Sequence, residues 1–227
     1  MTFSLLGRCA RTGQLGAVVT TSAIGVGARC QFARAGVGAV LTQHRTDPRL
    51  GPMMLELMAH GLSAPDAIRA AAAGTPHHAW RQLAAIDAQG RTGAYTGAKV
   101  RLAHGEAEGR DCVAIGNIIR DGAMPRAMVA AFEATPAAAL ATRLIAAIQA
   151  GEAAGGEIAA IASAALLVVD RETFPFVDLR VDAHDTPLLE LARLWSLYEP
   201  TAEDYVVRAV DPDRAGAYIA PPPKTAG

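Results

Sequence analysis

The sequence predicts an α+β domain built as a four-layer αββα sandwich, two antiparallel sheets stacked face to face with helices outside them. Three observations carry this. Strand-like segments come in groups joined by short turns, the signature of antiparallel pairing. Those groups are separated by pairs of helical segments instead of alternating with them one for one, which argues against a doubly wound parallel sheet. No internal repeat or linker interrupts residues 1–210, so they read as a single domain, followed by a mobile Pro-rich tail over 211–227.

The elements follow in order. Residues 2–10 form a strand, Arg11-Thr12-Gly13 a turn, and residues 14–22 its antiparallel partner, so a hairpin opens the domain. Residues 23–34, with Gly25 and Gly27, make a loop or short strand, and residues 37–43 a buried strand ending on polar Thr42-Gln43. The period then changes from two to 3.6. Leu50, Met53, Met54, Leu57 and Met58 lie at helical spacing, with Gly61 closing the helix. Ser63 caps the next helix, with Pro65 and Asp66 in its first turn. Strands return at residues 80–87, 92–96 and 111–117, with Gln89-Gly90 turning the chain. Helices follow over 124–133 and 136–150, the second stopped by Gly151. Residues 163–170 and 176–182 form a late hairpin, and 186–198 a final amphipathic helix.

Composition bounds the function. The 227 residues are 51% hydrophobic and 19% charged with a net charge of −1, which gives no bias toward nucleic acid or anionic lipid. No segment reaches the roughly 18 uninterrupted apolar residues of a membrane span. Arg8 and Arg11 follow the short apolar run at the start instead of preceding it, unlike a signal peptide. Cys9, Cys30 and Cys112 are odd in number and widely spaced, which fits neither a disulfide framework nor a zinc site. A cytoplasmic location is expected, with no nucleic-acid or membrane partner.

The chain begins Met1-Thr2-Phe3-Ser4. A small residue behind the initiator methionine allows its removal, and Thr2 would then carry a hydroxyl and a free α-amine together. An α-amine titrates near pH 8, about 7.7–8.0, so a useful fraction is neutral and able to accept the hydroxyl proton. This is the N-terminal-threonine form of the nucleophile-plus-base pair.

Several blocks occur in a fixed order: Thr2-Phe3-Ser4; Gly16-Ala17-Val18-Val19 leading to Ser22; Gly38-Ala39-Val40-Leu41-Thr42-Gln43; and Arg81-Gln82-Leu83 through Asp87. Gly90-Arg91, Tyr95-Thr96-Gly97, Gly116-Asn117, the run from Ala150 to Gly156, Ser163-Ala164-Ala165-Leu166 and Asp178-Leu179-Arg180-Val181-Asp182 continue it. Over roughly residues 2–195 this resembles the DUF1028 family, whose fold is similar to that of the N-terminal nucleophile (Ntn) hydrolases. The resemblance implies the αββα sandwich, a first strand in the middle of a sheet, and a nucleophile at Thr2. It does not supply a substrate. One stretch departs from the pattern: where members carry an acidic-basic-glycine sequence before the Ser-Ala-Ala-Leu strand, residues 157–162 here contain no arginine. A changed specificity or a lost activity is the expected consequence.

Acyl transfer also needs donors for a developing oxyanion. Asn117, at a strand end after Gly116, is the side-chain candidate, and a strand-end turn is its bland alternative. Thr96 and Gly97 end another strand and offer a backbone N–H, or simply form the turn. Gln43 must find a partner if buried, either a substrate amide or the loop that follows. Ser22 or Thr20 is placed to orient the Thr2 amine; the two share a face. Asp178, Arg180 and Asp182 share a strand face, so Arg180 either clamps a substrate carboxylate or belongs to a solvated surface or an ion-pair set. His77, His78 and His184 do not form a metal motif, the Met53-Met54-Met58 cluster belongs to the core, and Gly25-x-Gly27 lacks the rest of a dinucleotide fingerprint.

The resulting expectation is a cofactor-free, metal-free amidohydrolase acting on a small amide or short peptide, assembled as a homo-oligomer. The alternative is a non-catalytic binding or assembly protein on the same sandwich.

Overall fold

The computed structural model describes residues 1–216. Ten strands and six α-helices follow one another as β1 Thr2–Arg8, β2 Leu15–Thr21, β3 Gln31–Arg34, β4 Gly38–His44, α1 Leu50–Ala59 and α2 Ala64–Gly74. The chain continues with β5 Arg81–Asp87, β6 Thr92–Thr96, β7 His104–Gly109, β8 Cys112–Asn117, α3 Met124–Ala134 and α4 Leu140–Ala153. It closes with β9 Ser163–Val169, β10 Val177–Val181, α5 Pro187–Tyr198 and α6 Ala202–Val210. A six-stranded sheet has the order β10-β9-β2-β1-β8-β7 and a four-stranded sheet the order β3-β4-β5-β6. Every strand pair is antiparallel.

The period-two alternation of the strands builds three cores. On β1, Phe3 and Leu5 face α3, α4 and α5 together with Val18, Ala114 and Leu166. Leu6 faces the other way, where Val19, Ile115 and Ala165 meet Ala39, Leu41, Ala84 and Ile86 of the four-stranded sheet. Val40, Leu83 and Ala85, on the far side of that sheet, pack on α1 and α2. The expected arrangement of helices outside two stacked antiparallel sheets is therefore present. Fully burying a side chain such as Phe3 contributes roughly 1.5–3 kcal/mol.

The capped start of α2 is present as read: Ser63 Oγ accepts from the Asp66 N–H at 3.3 Å. Three elements differ from expectation. β7, with sequence His-Gly-Glu-Ala-Glu-Gly, has poor strand formers and forms because β8 offers it an unpaired edge. α6 is a further helix, whereas β3 is the short-strand alternative read for residues 23–34. α4 begins at Leu140 instead of 136, since residues 135–139 are spent in a turn with Ala138 N–H on Thr135 O at 3.1 Å. It also passes through Gly151, where a Cβ would lie 3.0 Å from Met128 and Phe3. That glycine permits close packing, and the helix ends later, before Gly155 and Gly156 at φ 118° and 57°. Of the expected tail, residues 212–214 form a 3₁₀ turn, and Pro221-Pro222-Pro223 lies outside the described residues.

Candidate functional site

At one end of the space between the sheets, the inward-facing residue of five strands changes from aliphatic to polar. Leu6 gives way to Ser4 and Thr2 on β1, Val19 to Thr21 on β2, and Ile115 to Asn117 on β8. Across the layer, Leu41 gives way to Gln43 on β4 and Ala84 to Gln82 on β5. The registers bring these ends together, since Thr2 pairs with Asn117 and Gln43 with Gln82.

Buried polar groups must be satisfied, and here they largely satisfy one another. Ser4 Oγ donates to Gln43 Oε1 at 2.8 Å. Gln43 Nε2 donates to Gln82 Oε1 at 2.8 Å and toward Thr2 O at 3.4 Å. Gln82 Nε2 donates to Gly116 O at 3.0 Å and Thr96 Oγ1 at 3.1 Å. Asn117 Nδ2 donates to Gln82 Oε1 at 3.0 Å. Gln82 is thus the hub, and its bond to the Gly116 carbonyl, which can only accept, fixes the orientation of all three amides. Thr2 is 6% exposed. Its Oγ1 lies 3.3 Å from Thr21 Oγ1, and both hydroxyls contact the Met1 carbonyl oxygen.

Two buried acceptors in this region lack a partner among the described residues, Asn117 Oδ1 and Glu157 Oε1. Glu157 is held by a β-bridge to Ile119, two residues beyond Asn117, and its Oε2 accepts from the Ser22 N–H at 3.0 Å. Burial raises the Glu157 carboxyl to about 7, against the opposing pull of the N-terminal charge and the Ser22 bonds.

The chain's start opens onto a cleft of about 530 Å³ lined by Met1, His44, Arg45, Trp80 and Arg101. His44 Nδ1 lies 2.8 Å from Trp80 O, which can only accept, so Nδ1 carries the proton. Burial lowers the His44 pKa, and the N-terminal and Arg45 charges lower it further against the Trp80 bond, so the ring is neutral at pH 7.

The expected site residues separate into two groups. Thr2, Asn117 and Gln43 come together, with Thr96 at the edge of their network through Gln82. Ser22 instead gives its backbone N–H to Glu157 Oε2 at 3.0 Å. Thr20 does not join the network: the β1–β2 register pairs it with Phe3, so it points to the helix side and donates to Ser163 O at 2.8 Å. Thr21 has the required parity. Gly97 offers no free N–H, because that group donates to Arg81 O at 2.9 Å. Arg180 sits on edge strand β10, three strands from β1, and grips Asp178 with two bonds of 2.9 Å. Ser4, Thr21, Gln82 and Glu157 were not singled out from sequence. Ser4 and Gln82 carry the signal that marked Gln43, a polar residue at the end of an apolar strand; Glu157 has no sequence signal, since a loop delivers it.

Residues 2–191 match the family described as "Family of unknown function (DUF1028)". The chain is also similar to the crystal structure of a DUF1028 protein from Silicibacter pomeroyi, at 31% identity and a TM-score of 0.80, covering 87% of this chain and 88% of that one. No curated protein matches the sequence. None of the described helices is long and apolar enough to cross a membrane.

Proposed function

The chain belongs to the DUF1028 family, and from the polar end of its inter-sheet layer we propose that it is an Ntn-type hydrolase cleaving the C–N bond of a small amide or short peptide, with Thr2 exposed by removal of Met1. The observation that carries this is the pair of orphaned acceptors, Asn117 Oδ1 and Glu157 Oε1, buried in the region of the N-terminus. Leaving such groups unpaired costs about 1–3 kcal/mol each. An α-ammonium on Thr2 supplies three N–H donors where the Met1–Thr2 peptide supplies one.

In the reaction, the neutral Thr2 amine accepts the Oγ1 proton as Oγ1 bonds to the substrate carbonyl carbon. Asn117 Nδ2 carries a second N–H beyond the one spent on Gln82, and it donates to the oxyanion. Collapse breaks the C–N bond, and the ammonium gives its proton to the leaving nitrogen. Water then attacks the acyl ester, the amine takes its proton, and that proton returns to Oγ1 as the acid leaves. Gln43, through the Thr2 carbonyl, holds the nucleophile's backbone. The test is a small-amide screen run in parallel on the wild type, Thr2→Ser and Thr2→Ala. Turnover retained by Ser and lost by Ala supports the mechanism, and turnover that persists in Thr2→Ala refutes it.

A non-catalytic binding protein is the second reading. The engagement of the Gly97 N–H with Arg81 O favours it, because one expected oxyanion donor is already spent. A retained Met1 in the native protein is its signature.

A further inference from the structure

We propose that the cleft at the N-terminus selects amides carrying an anionic group, held by Arg45 and Arg101 of its lining with Lys99 over the same indole, Trp80. Three cations converge on one indole: Arg45 Cζ lies 5.8 Å from the ring centroid, Lys99 Nζ 5.3 Å and Arg101 Cζ 5.9 Å. These are cation–π distances, and they gather like charges that repel one another. Several arginines elsewhere are neutralised by a carboxylate, as in Arg8 with Asp111, Arg91 with Asp87 and Arg193 with Glu190. Among the described residues no carboxylate lies within ion-pair distance of Arg45, Lys99 or Arg101, and no acidic residue lines the cleft. In a chain of net charge −1, this is a local excess of positive charge without a structural counter-ion.

The backbone gives a second, independent sign. Among the described residues five non-glycine residues have positive φ, and three of them, His44 at 70°, Leu102 at 62° and Ile118 at 55°, line this cleft. A β-branched residue such as Ile118 rarely adopts that conformation, and strain of this kind gathers at ligand sites. The indole is fixed as well. His44 stacks on it at 6.4 Å with 10° between the planes and binds its backbone carbonyl. The volume, about 530 Å³, suits a small molecule. Met1 is part of the wall, so its removal joins the cationic cleft to Thr2. A substrate whose anion docks beside Trp80 then presents its amide to the hydroxyl; this last step rests on the proposed role of Thr2, whereas anion binding does not.

The experiment titrates glutarate and its neutral counterpart pentanediamide into Met1-free wild type, Thr2→Ala, Lys99→Gln and Arg45→Gln/Arg101→Gln, following Trp80 fluorescence with Trp80→Phe as the control. Glutarate is expected to bind wild type and Thr2→Ala alike, and to bind about tenfold more weakly to the double variant, with a smaller loss in Lys99→Gln. Pentanediamide is expected to bind about tenfold more weakly than glutarate. Equal binding of the two compounds, or an unchanged glutarate affinity in a double variant with wild-type melting, overturns the proposal. If Thr2 proves unreactive while glutarate binds as described, the hydrolase reading fails and the anion site stands.

Discussion

Thr2 and Asn117 face each other across the β1–β8 pair, and Asn117 Oδ1 is buried with no partner among the described residues. Its Nδ2 cannot exchange places with that oxygen, because Gln82 Nε2 is committed to Gly116 O and Thr96 Oγ1 and only Gln82 Oε1 faces Asn117. The acceptor is therefore imposed by the network and waits for a donor.

Gln82 is the hub of that network, so Gln82→Leu strands Asn117 Nδ2, one Gln43 N–H and the Gly116 carbonyl together. The expected loss in unfolding free energy is on the order of 3–5 kcal/mol. Ser4→Ala leaves only Gln43 Oε1 unpaired, at about 1–3 kcal/mol. Denaturant melts of the two variants give the comparison, and equal losses would remove Gln82 from the centre.

Glu157 makes stability depend on pH. Burial raises its folded pKa from 4.5 to about 7, so the folded state holds a proton that the unfolded state releases. The associated stability is fully present below pH 4.5 and is lost as pH rises through about 7. In the Met1-retaining protein, unfolding free energy should fall across that window. Glu157→Gln should flatten the slope; a variant with the wild-type slope would assign the effect elsewhere.

Gly97 and Gly74 are opposites. A Cβ at Gly97 would lie 2.4 Å from Ala79 O and 2.6 Å from His78 O, backbone atoms that cannot swing aside. Gly97→Ala should cost about 1–3 kcal/mol. Gly74 ends α2 with nothing within 4 Å of a Cβ, so Gly74→Ala should gain about 0.5–1 kcal/mol. Thermal melts decide both.

Arg180→Ala removes an exposed pair at the sheet edge and should change stability by less than about 1 kcal/mol. It should leave the reactivity of Thr2 untouched. A large loss of reactivity would restore Arg180 to the site.

Much of this was legible from residue patterns because burial imposes them. Apolar runs marked β1, β2, β4, β5, β8 and β9, a polar residue ending such a run marked Gln43 and Asn117, and the place behind Met1 marked Thr2. Register was not legible. A shift of one residue exchanges Thr21 for Thr20 at the site, and only the pairing of Phe3 with Thr20 decides between them. β7 was hidden because its neighbour, not its own residues, makes it a strand. Glu157 and the cations around Trp80 come from loops, whose placement follows from tertiary contacts that no local spacing encodes.

The most direct measurement is the intact mass of the untagged protein before and after treatment with a hydroxyl-directed β-lactone, with the adduct mapped by peptide fragmentation. The account predicts a chain lacking one methionine that gains a single adduct on Thr2, and no adduct in Thr2→Ala. A native chain that keeps Met1 or carries an N-terminal acetyl group, and takes up no probe, would contradict it.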